Sequence, residues 1–357
     1  MRHLTSLRLF FCIFVYALLL SFAGCKISKD AQIDGLFVNY SGKVPGAVVM
    51  VIKNGNPVFK KAYGLANMET NDLMRTGNNL RLASMTKQFT ATCIMMLVER
   101  GKLTYTTTLK DIFPDFPDYG NSITVWHLLH HTSGLIAYED LIPDTATVQV
   151  HDKDVLAMMM QQDSTYFSPG TKYRYSNTGY AVLAMIIEKL ANMPFAEFLK
   201  ENIFDPLEMT ATVAYEKGIS TVRDRAYGYA VEDDDFVFRD QSLTSAVLGD
   251  GGIYSNVDDL LKWDQALYTD RLISTSSFKK ATTPDTLADG TGTGYGFGWR
   301  LDEFHGHKRM HHTGGTSGFS TIIQRYPDDH FTVLILTNRD RPSVAPIADK
   351  IAAMYLL

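Results

Sequence analysis

The sequence predicts an α+β fold, an α/β sandwich whose antiparallel sheet is built from both ends of the chain and flanked by helices. Strand-like patterns occur at 46–64 and again between 294 and 337, while the segment between them carries mainly helical patterns. This order favours one antiparallel sheet with a mainly helical second lobe packed beside it. The chain has 357 residues, 45% of them hydrophobic, which is enough to bury a substantial core.

The first residues are typical of a targeting segment. The apolar run "LFFCIFVYALLL" (9–20) follows two arginines and is too short to span a bilayer comfortably. It ends in "SFAGC", which resembles the lipidation signal of bacterial lipoproteins. Cys25 would then be the lipidated first residue of an exported protein, periplasmic or anchored to a membrane. Phe22 replaces the leucine usual in that signal, so ordinary signal cleavage or an uncleaved anchor remains an alternative.

We expect three segments along the chain. Residues 1–24 form the signal segment, and the polar sequence "KISKDAQID" makes 25–34 a short tether. A single folded domain then covers 35–357. Its α/β lobe is expected at about 35–100 and 246–357, and its helical lobe at about 101–245.

Strong local patterns predict the early elements of this domain. Two strands flank Asn54-Gly55, a dipeptide that favours a tight hairpin turn. From Thr86 to Arg100, apolar residues cover most of the helical circumference, which is typical of a buried helix. Cys93 lies in this helix and is expected to be a small buried hydrophobic residue, so no internal disulfide is predicted.

The later elements follow from similar patterns. A helix is expected over 178–194, ending at a proline, and another from Ser255, with Asp258 three residues later as a variant of the capping box. A short helix is expected to close the chain. Strand-like runs precede it near 294–300, 307–313, 318–325 and 331–337, with the turn "PDDH" (327–330) before the last.

Composition and missing motifs exclude several classes of function. The net charge is −5 and no basic run occurs, so a nucleic-acid partner is not expected. There is no Gly-x-Ser-x-Gly turn of an α/β-hydrolase and no phosphate-binding glycine loop. Two groups of histidines have a spacing that metal ligands can have, but no cysteine or carboxylate cluster completes either group, so no metal site is predicted. They are His127, His130 and His131, and His305, His307 and His311.

The pair Ser84 and Lys87 in "LASMTK" (82–87) stands where the buried helix begins. Side chains three residues apart meet on one face of a helix. A serine hydroxyl is a weak nucleophile until a positioned base removes its proton, and a lysine can be that base. The alternative is a helix cap beside a solvated lysine. The same spacing recurs in "STSSFKK" (274–280), but that stretch is polar and favours a surface helix end.

Two further motifs accompany this pair. "YRYSNTGY" (173–180) contains Tyr175-x-Asn177 where a loop runs into a helix, and "HHTGGTSG" (311–318) lies between two strands. A Ser-x-x-Lys pair, a Tyr-x-Asn loop and a His-Thr-Gly strand in this order resemble the serine β-lactamase and penicillin-binding protein family. The motif spacing resembles its class C branch of β-lactamases, DD-carboxypeptidases, D-aminopeptidases and esterases. Segments similar to that branch are "LLHHTSGL" (128–135), "GGIYSNVDDLLKW" (251–263) and "LILTNR" (334–339).

The resemblance implies a β-lactamase/transpeptidase-like fold and an acyl-enzyme serine hydrolase without a cofactor, acting on D-alanyl peptides, β-lactams or small esters. Ser84 would be the nucleophile, and Lys87 and Tyr175 would share its proton, with the identity of the base left open. Backbone N–H groups of Ser84 and Gly315 would form the oxyanion hole. Asn177 would donate to the substrate amide or position Lys87, or it caps the following helix. The implied substrate-binding residues are Asn177, His312, Thr313, Gly314 and Gly315.

His312 departs from the lysine found at this position in most β-lactamases. Histidine here resembles some DD-peptidases and esterases, and it titrates near pH ~6.5 when unperturbed. A cationic His312 that binds a substrate carboxylate would lose this role as it deprotonates. The alternative function is a catalytically silent, membrane-tethered binding protein with the same fold. For Tyr175 alone, the alternative is an aromatic core residue.

Overall fold

A computed structural model gives the fold of the chain and describes residues 28–233 and 235–357. The predicted signal segment and Cys25 lie outside the described residues. Within the described ranges, no helix combines the length and the apolar character needed to cross a membrane.

The chain divides into two units after residue 39. The described part of the first unit holds helix α1 (Lys29–Leu36), which begins inside the segment expected to be a tether. Ser28 caps this helix, because its hydroxyl accepts a hydrogen bond from the N–H of Ala31. The limits of the tether and of the two lobes remain predictions.

All further elements belong to the second unit. Its strands are β1 (Ala47–Lys53), β2 (Asn56–Tyr63), β3 (Leu65–Asn67), β4 (Asp72–Leu73), β5 (Leu80–Arg81), β6 (Val213–Ala214), β7 (Tyr229–Glu232), β8 (Asp235–Phe238), β9 (Ile253–Ser255), β10 (Arg300–Phe304), β11 (His307–Thr316), β12 (Phe319–Tyr326) and β13 (Phe331–Thr337). Its helices are α2 (Lys87–Glu99), α3 (Leu109–Ile112), α4 (Val125–Leu129), α5 (Asp152–Met160), α6 (Asn177–Ala191), α7 (Phe195–Leu199), α8 (Leu248–Gly251), α9 (Val257–Ala266), α10 (Thr275–Ala281) and α11 (Ala345–Leu356).

The main sheet joins the two ends of the sequence, as predicted. It is antiparallel, with the strand order β10-β11-β12-β13-β1-β2. The joint lies between β1 and β13, where Ala47 pairs with Thr337 and Lys53 pairs with Phe331. β13 is buried along its whole length, because α9 and α11 both pack against it. The α+β fold with an antiparallel sheet and helices is therefore confirmed.

The hairpin between β1 and β2 is also confirmed. Asn54 and Gly55 form its turn and have φ angles of +50° and +76°. A two-residue hairpin turn of this kind needs positive φ at both central positions, which asparagine and glycine tolerate best.

Helix α2 is the buried helix that the sequence predicted. Every residue from Lys87 to Leu97 is buried, including Cys93. The helix packs against α6, α7 and α8, and the ring of Phe89 stacks on Trp263 with 4.1 Å between ring centroids. Apolar residues cover most of the helix surface because the helix is buried against neighbours, although Lys87, Gln88, Thr90 and Thr92 are buried with them.

A small sheet brings the chain before Ser84 beside a distant segment. β5 pairs with β9, with Arg81 opposite Tyr254, and β9 pairs in turn with β6. The N–H of Leu82 then donates to the carbonyl of Ile253 at 2.8 Å. Ser84 is therefore held next to the segment that immediately precedes β9.

Three boundaries differ from the sequence predictions. Ser255 ends β9, and Asn256 caps α9 by accepting hydrogen bonds from two backbone N–H groups. Helix α6 ends before its proline, because Asn192 takes the left-handed conformation. The strand expected near 294–300 begins only at Arg300, since glycines with positive φ at 294 and 298 interrupt the extended backbone.

Candidate active site

Ser84 lies in a single 3-10 turn, Ala83–Thr86, directly before α2. Ala83 has a φ of +50°, a left-handed conformation that costs a non-glycine residue about 1 kcal/mol or more. Surrounding contacts hold it there: the hydroxyl of Thr321 donates to the carbonyl of Leu82 at 2.9 Å. Ser84 itself is half-buried between two buried neighbours. The turn thus exposes one hydroxyl from an otherwise buried segment.

Lys87 is fully buried and its amine contacts three oxygen atoms. Nζ donates to the Asp250 carbonyl and to Asn177 Oδ1, both at 2.8 Å, and lies 3.1 Å from Ser84 Oγ. The first two oxygens can only accept hydrogen bonds. A neutral amine would therefore keep its two N–H groups on them and direct its lone pair at the Ser84 hydroxyl. This geometry suits proton transfer from Ser84 to Lys87.

Asn177 is the first residue of α6 but does not cap it. The cap is Ser176, whose hydroxyl accepts from the N–H of Gly179 at 3.2 Å. The amide of Asn177 is free for the site: Oδ1 faces Lys87, and Nδ2 donates to Glu139 Oε1 at 2.7 Å. Of the three roles left open by the sequence, the cap belongs to Ser176, and the geometry favours contact with Lys87 over donation to the substrate amide.

Tyr175 lies beside this group but makes a different kind of contact. Its hydroxyl is buried without a hydrogen-bond partner in the described part of the chain. Lys87 Nζ lies 5.0 Å from the centroid of its ring, and the Arg300 guanidinium 5.6 Å from the same centroid. The ring of His131 packs against it at 4.3 Å. The Lys87 amine and the Arg300 guanidinium therefore both lie near the ring, while the hydrogen bond to Ser84 comes from Lys87.

His312 is buried in β11, and each of its two ring nitrogens has a hydrogen-bond partner. Nδ1 lies 2.8 Å from the carbonyl of Thr313, which can only accept, so Nδ1 carries the proton. In the neutral imidazole, Nε2 accepts from the Tyr295 hydroxyl at 2.9 Å. Burial and the nearby charge of Lys87 hold the pKa of His312 well below its ordinary value. The structure therefore favours a neutral His312 over a cation that binds a carboxylate.

The glycines of β11 have two different environments. Gly314 is buried against the turn before Ser84, where an added Cβ would lie 2.1 Å from the Leu82 carbonyl oxygen. Gly315 is exposed, and an added Cβ would meet no atom within 4 Å. Thr313 lies between His312 and this pair and is half-buried.

A cleft of about 290 Å³ opens beside Ser84. Of the predicted substrate-binding residues, Asn177 and Gly315 line it, whereas His312 and Gly314 are buried in the adjacent strand. The other lining residues are Arg81, Ala83, Tyr138, Ser242, Thr244, Asp250, Gly251, Thr316 and Ser317.

Sequence reasoning missed three residues that complete the site, Tyr138, Glu139 and Asp250. The hydroxyl of Tyr138 donates to Asp250 Oδ2 at 3.1 Å. Burial raises the pKa of Asp250 to about 6, although the positive charge of Lys87 acts in the opposite direction. All three residues lie next to segments that resemble the family, after "LLHHTSGL" and before "GGIYSNVDDLLKW". That proximity is the signal by which they could have been found.

The histidine groups do not form a recognisable metal centre. Across residues 28–233 and 235–357, no group of three or more histidine, cysteine, aspartate or glutamate side chains is arranged to hold a metal ion. His131 accepts a hydrogen bond at Nδ1 from the N–H of Ser176 at 3.1 Å, beside the Tyr175 ring. It thus supports the Tyr-x-Asn loop.

Comparison with known proteins is consistent with this geometry. Residues 32–355 match the family model described as Beta-lactamase. The chain is 35% identical over 349 residues to penicillin-binding protein 4* of Bacillus subtilis (strain 168), covering 93% of this chain and 77% of that protein. It is 25% identical over 318 residues to the D-aminopeptidase of Brucella ovis, covering 87% of this chain but only 59% of that longer protein.

A solved structure supports the same relationship. The octameric penicillin-binding protein homologue from Pyrococcus abyssi is similar with a TM-score of 0.80 at 26% identity, covering 92% of this chain and 76% of that one. The matched family model and the 35% identical relative together cover almost the whole sequence. This chain therefore belongs to the β-lactamase family and is a serine hydrolase.

Proposed function

We propose that the protein is an exported hydrolase that cleaves amide or ester bonds through an acyl-enzyme on Ser84. The observation that carries this proposal is the contact between Lys87 Nζ and Ser84 Oγ, with the other two contacts of the amine made to oxygens that only accept. Membership of the class C branch belongs to the proposal and is supported by the spacing of the three motifs.

In the first step, Ser84 Oγ attacks the substrate carbonyl while its proton passes to Lys87. The developing oxyanion would accept hydrogen bonds from the backbone N–H groups of Ser84 and Gly315. Collapse of this intermediate breaks the bond to the leaving group, which takes the proton from Lys87. Water then attacks the acyl-enzyme by the same route, releasing the acid and restoring the hydroxyl of Ser84.

The proposed substrates are D-alanyl peptides, β-lactams or small esters. The names of the relatives, a penicillin-binding protein and a D-aminopeptidase, support amides of D-amino acids. A positive charge for a substrate carboxylate would come from Arg300 rather than His312. Arg300 is half-buried beside Tyr175, and no carboxylate of the described residues forms an ion pair with it.

The test is the intact mass of the purified protein after incubation with a penicillin, beside a Ser84→Ala control. A lasting adduct of one penicillin, absent from the variant, supports acylation of Ser84 and slow release, as in a DD-peptidase. Loss of the drug without an adduct, dependent on Ser84, supports rapid hydrolysis. If the drug survives, D-amino-acid amides and esters are assayed next. If none of these compounds is turned over in a way that depends on Ser84, the proposal is refuted and a silent binding protein is favoured.

Export and lipidation at Cys25 form a separate part of the proposal, supported by "SFAGC" after an apolar run. A lipidated protein should partition into the detergent phase of a two-phase extraction, and Cys25→Ser should move it to the aqueous phase. Equal partitioning of both proteins would remove lipidation.

A further inference from the structure

We infer that Glu139 is a positioning residue, whose carboxylate fixes the amide of Asn177 and thereby directs the amine of Lys87 at Ser84. Glu139 lies outside every motif singled out in the sequence. The inference rests on the proposed acylation of Ser84 and adds a fourth residue to the hydrogen-bonded series that ends at its hydroxyl.

The position of Glu139 is set by the turn that carries it. This 3-10 turn, Tyr138–Leu141, is attached to the start of α6, because the N–H of Tyr138 donates to Thr178 Oγ1 at 2.9 Å. The hydroxyl of Thr178 donates in turn to the carbonyl of Ile136 at 2.8 Å. Thr178 follows Asn177 directly, so the same attachment holds Glu139 beside the Asn177 amide.

The contact between Glu139 and Asn177 determines which way the amide faces. A carboxylate only accepts hydrogen bonds, so Oε1 must face the NH₂ group of Asn177, 2.7 Å away. The amide oxygen is then left on the opposite side, where Lys87 Nζ donates to it at 2.8 Å. Hydrogen bonds to ionised groups are stronger than neutral ones. The orientation of Asn177 is therefore imposed by a carboxylate on one side and by the donating amine of Lys87 on the other.

Loss of Glu139 would affect the chemistry through Lys87. A flipped Asn177 amide would turn its own N–H groups toward the Lys87 amine. The amine would then keep the Asp250 carbonyl as an acceptor but lose the amide oxygen of Asn177. The amine would then donate to Ser84 Oγ instead of accepting the proton of Ser84. The expected loss is in the rate of acylation and not in substrate binding.

The charge of Glu139 reaches its neighbours in the site. It contributes to the raised pKa of Asp250, which burial sets to about 6, and to the raised pKa of Tyr138, where burial is again the largest cause. Glu139 Oε1 is thus part of the electrostatic environment of the residues around Lys87.

The experiment compares Glu139→Ala, Glu139→Gln and the control Asp140→Ala. Asp140 is the adjacent carboxylate, is exposed, and accepts a hydrogen bond from the Tyr166 hydroxyl at 3.0 Å. We expect Glu139→Ala to lower the acylation rate by about 10- to 100-fold, the range of one hydrogen bond to a charged group, with little change in KM. Glu139→Gln should retain most activity because its amide oxygen can still accept from Asn177. Asp140→Ala should match the wild type.

A double-mutant cycle with Asn177→Ala separates positioning from a purely structural effect. If Glu139 acts through Asn177, the double variant should be acylated at the rate of Asn177→Ala alone, while melting temperatures stay close to the wild type. Additive losses, an effect on KM alone, or equal losses in Glu139→Ala and Asp140→Ala would overturn the inference. If Glu139→Ala does not fold, a wild-type rate of Glu139→Lys would overturn it, since lysine cannot accept.

The two proposals fail in different ways. If Ser84 of the wild-type protein is not acylated by a fluorescent penicillin, an ester or a D-amino-acid amide, both proposals are refuted. If the wild-type protein is acylated and Glu139→Ala is acylated at the same rate, only the role of Glu139 is refuted.

Discussion

Neighbouring glycines in β11 provide a matched test of how the turn before Ser84 is held. We predict that Gly314→Ala destabilises the protein and slows acylation, whereas Gly315→Ala does not destabilise it. The two substitutions add the same methyl group one residue apart in the same strand. Any difference between them therefore reports the surroundings of each position.

The expected magnitude follows from the space at each glycine. In Gly314→Ala, the Cβ would lie 2.1 Å from the Leu82 carbonyl oxygen and 2.2 Å from Thr321 Oγ1, so these groups must move apart. Overpacking of this kind costs about 1–3 kcal/mol, and weakening the hydrogen bond between Thr321 and Leu82 adds about 1 kcal/mol. The reduced entropy of the unfolded chain offsets about 0.4–1 kcal/mol of this in both variants. We expect a net loss of about 1–3.5 kcal/mol for Gly314→Ala and a gain of about 0.4–1 kcal/mol for Gly315→Ala.

The activity of the two variants should differ in kind. Moving Leu82 and Ala83 displaces Ser84, and a displacement of about 1 Å can lower a catalytic rate by about 100-fold. Gly315→Ala places its methyl on the open side of the strand, so KM should rise while the fold is kept. Thermal unfolding followed by circular dichroism should show a decrease of about 1–5 °C for Gly314→Ala only. Equal melting temperatures of the two variants would refute this account of the turn.

Further predictions concern the base and two buried titrating groups. Lys87→Met should lower the penicillin acylation rate by about 1000-fold and Tyr175→Phe by less than about tenfold, because Lys87 and not Tyr175 contacts Ser84. The opposite ranking would assign the base to Tyr175. Because the pKa of His312 lies well below its ordinary value, the ratio of kcat/KM for anionic and neutral substrates should stay constant from about pH 6 to 8. A steep fall of this ratio near pH ~6.5 would contradict a neutral His312. Burial raises the pKa of Asp152 to about 8, so between about pH 4 and 8 the folded state binds more protons than the unfolded state and stability falls as pH rises. The melting temperature of Asp152→Asn relative to wild type should therefore rise from about pH 5 to 8, and a difference independent of pH would remove this assignment.

Much of the fold could be predicted from local patterns. The Asn54-Gly55 turn, the buried α2 helix and the strands around the "PDDH" turn depend on contacts between near neighbours. The start of α9 was misplaced by one residue, because both Ser255 and Asn256 are good capping residues. The pairing of Ser255 with Leu80 in the small sheet leaves the cap to Asn256. Pairing with a strand that is distant in the sequence thus determined which of the two residues caps the helix.

Sequence patterns were enough to identify the chemical groups of the site: a serine and a lysine one helical turn apart, a Tyr-x-Asn loop and a glycine-containing strand. The contacts that these groups make depend on the folded structure. Lys87 bonds to an amide 90 residues away and to a backbone carbonyl 163 residues away, and such a carbonyl is present at every residue and carries no sequence signal. The neutral state of His312 likewise depends on burial and on the hydroxyl of Tyr295. Hydrogen bonds and desolvation act over a few ångströms, so they are fixed only when packing has brought distant segments together.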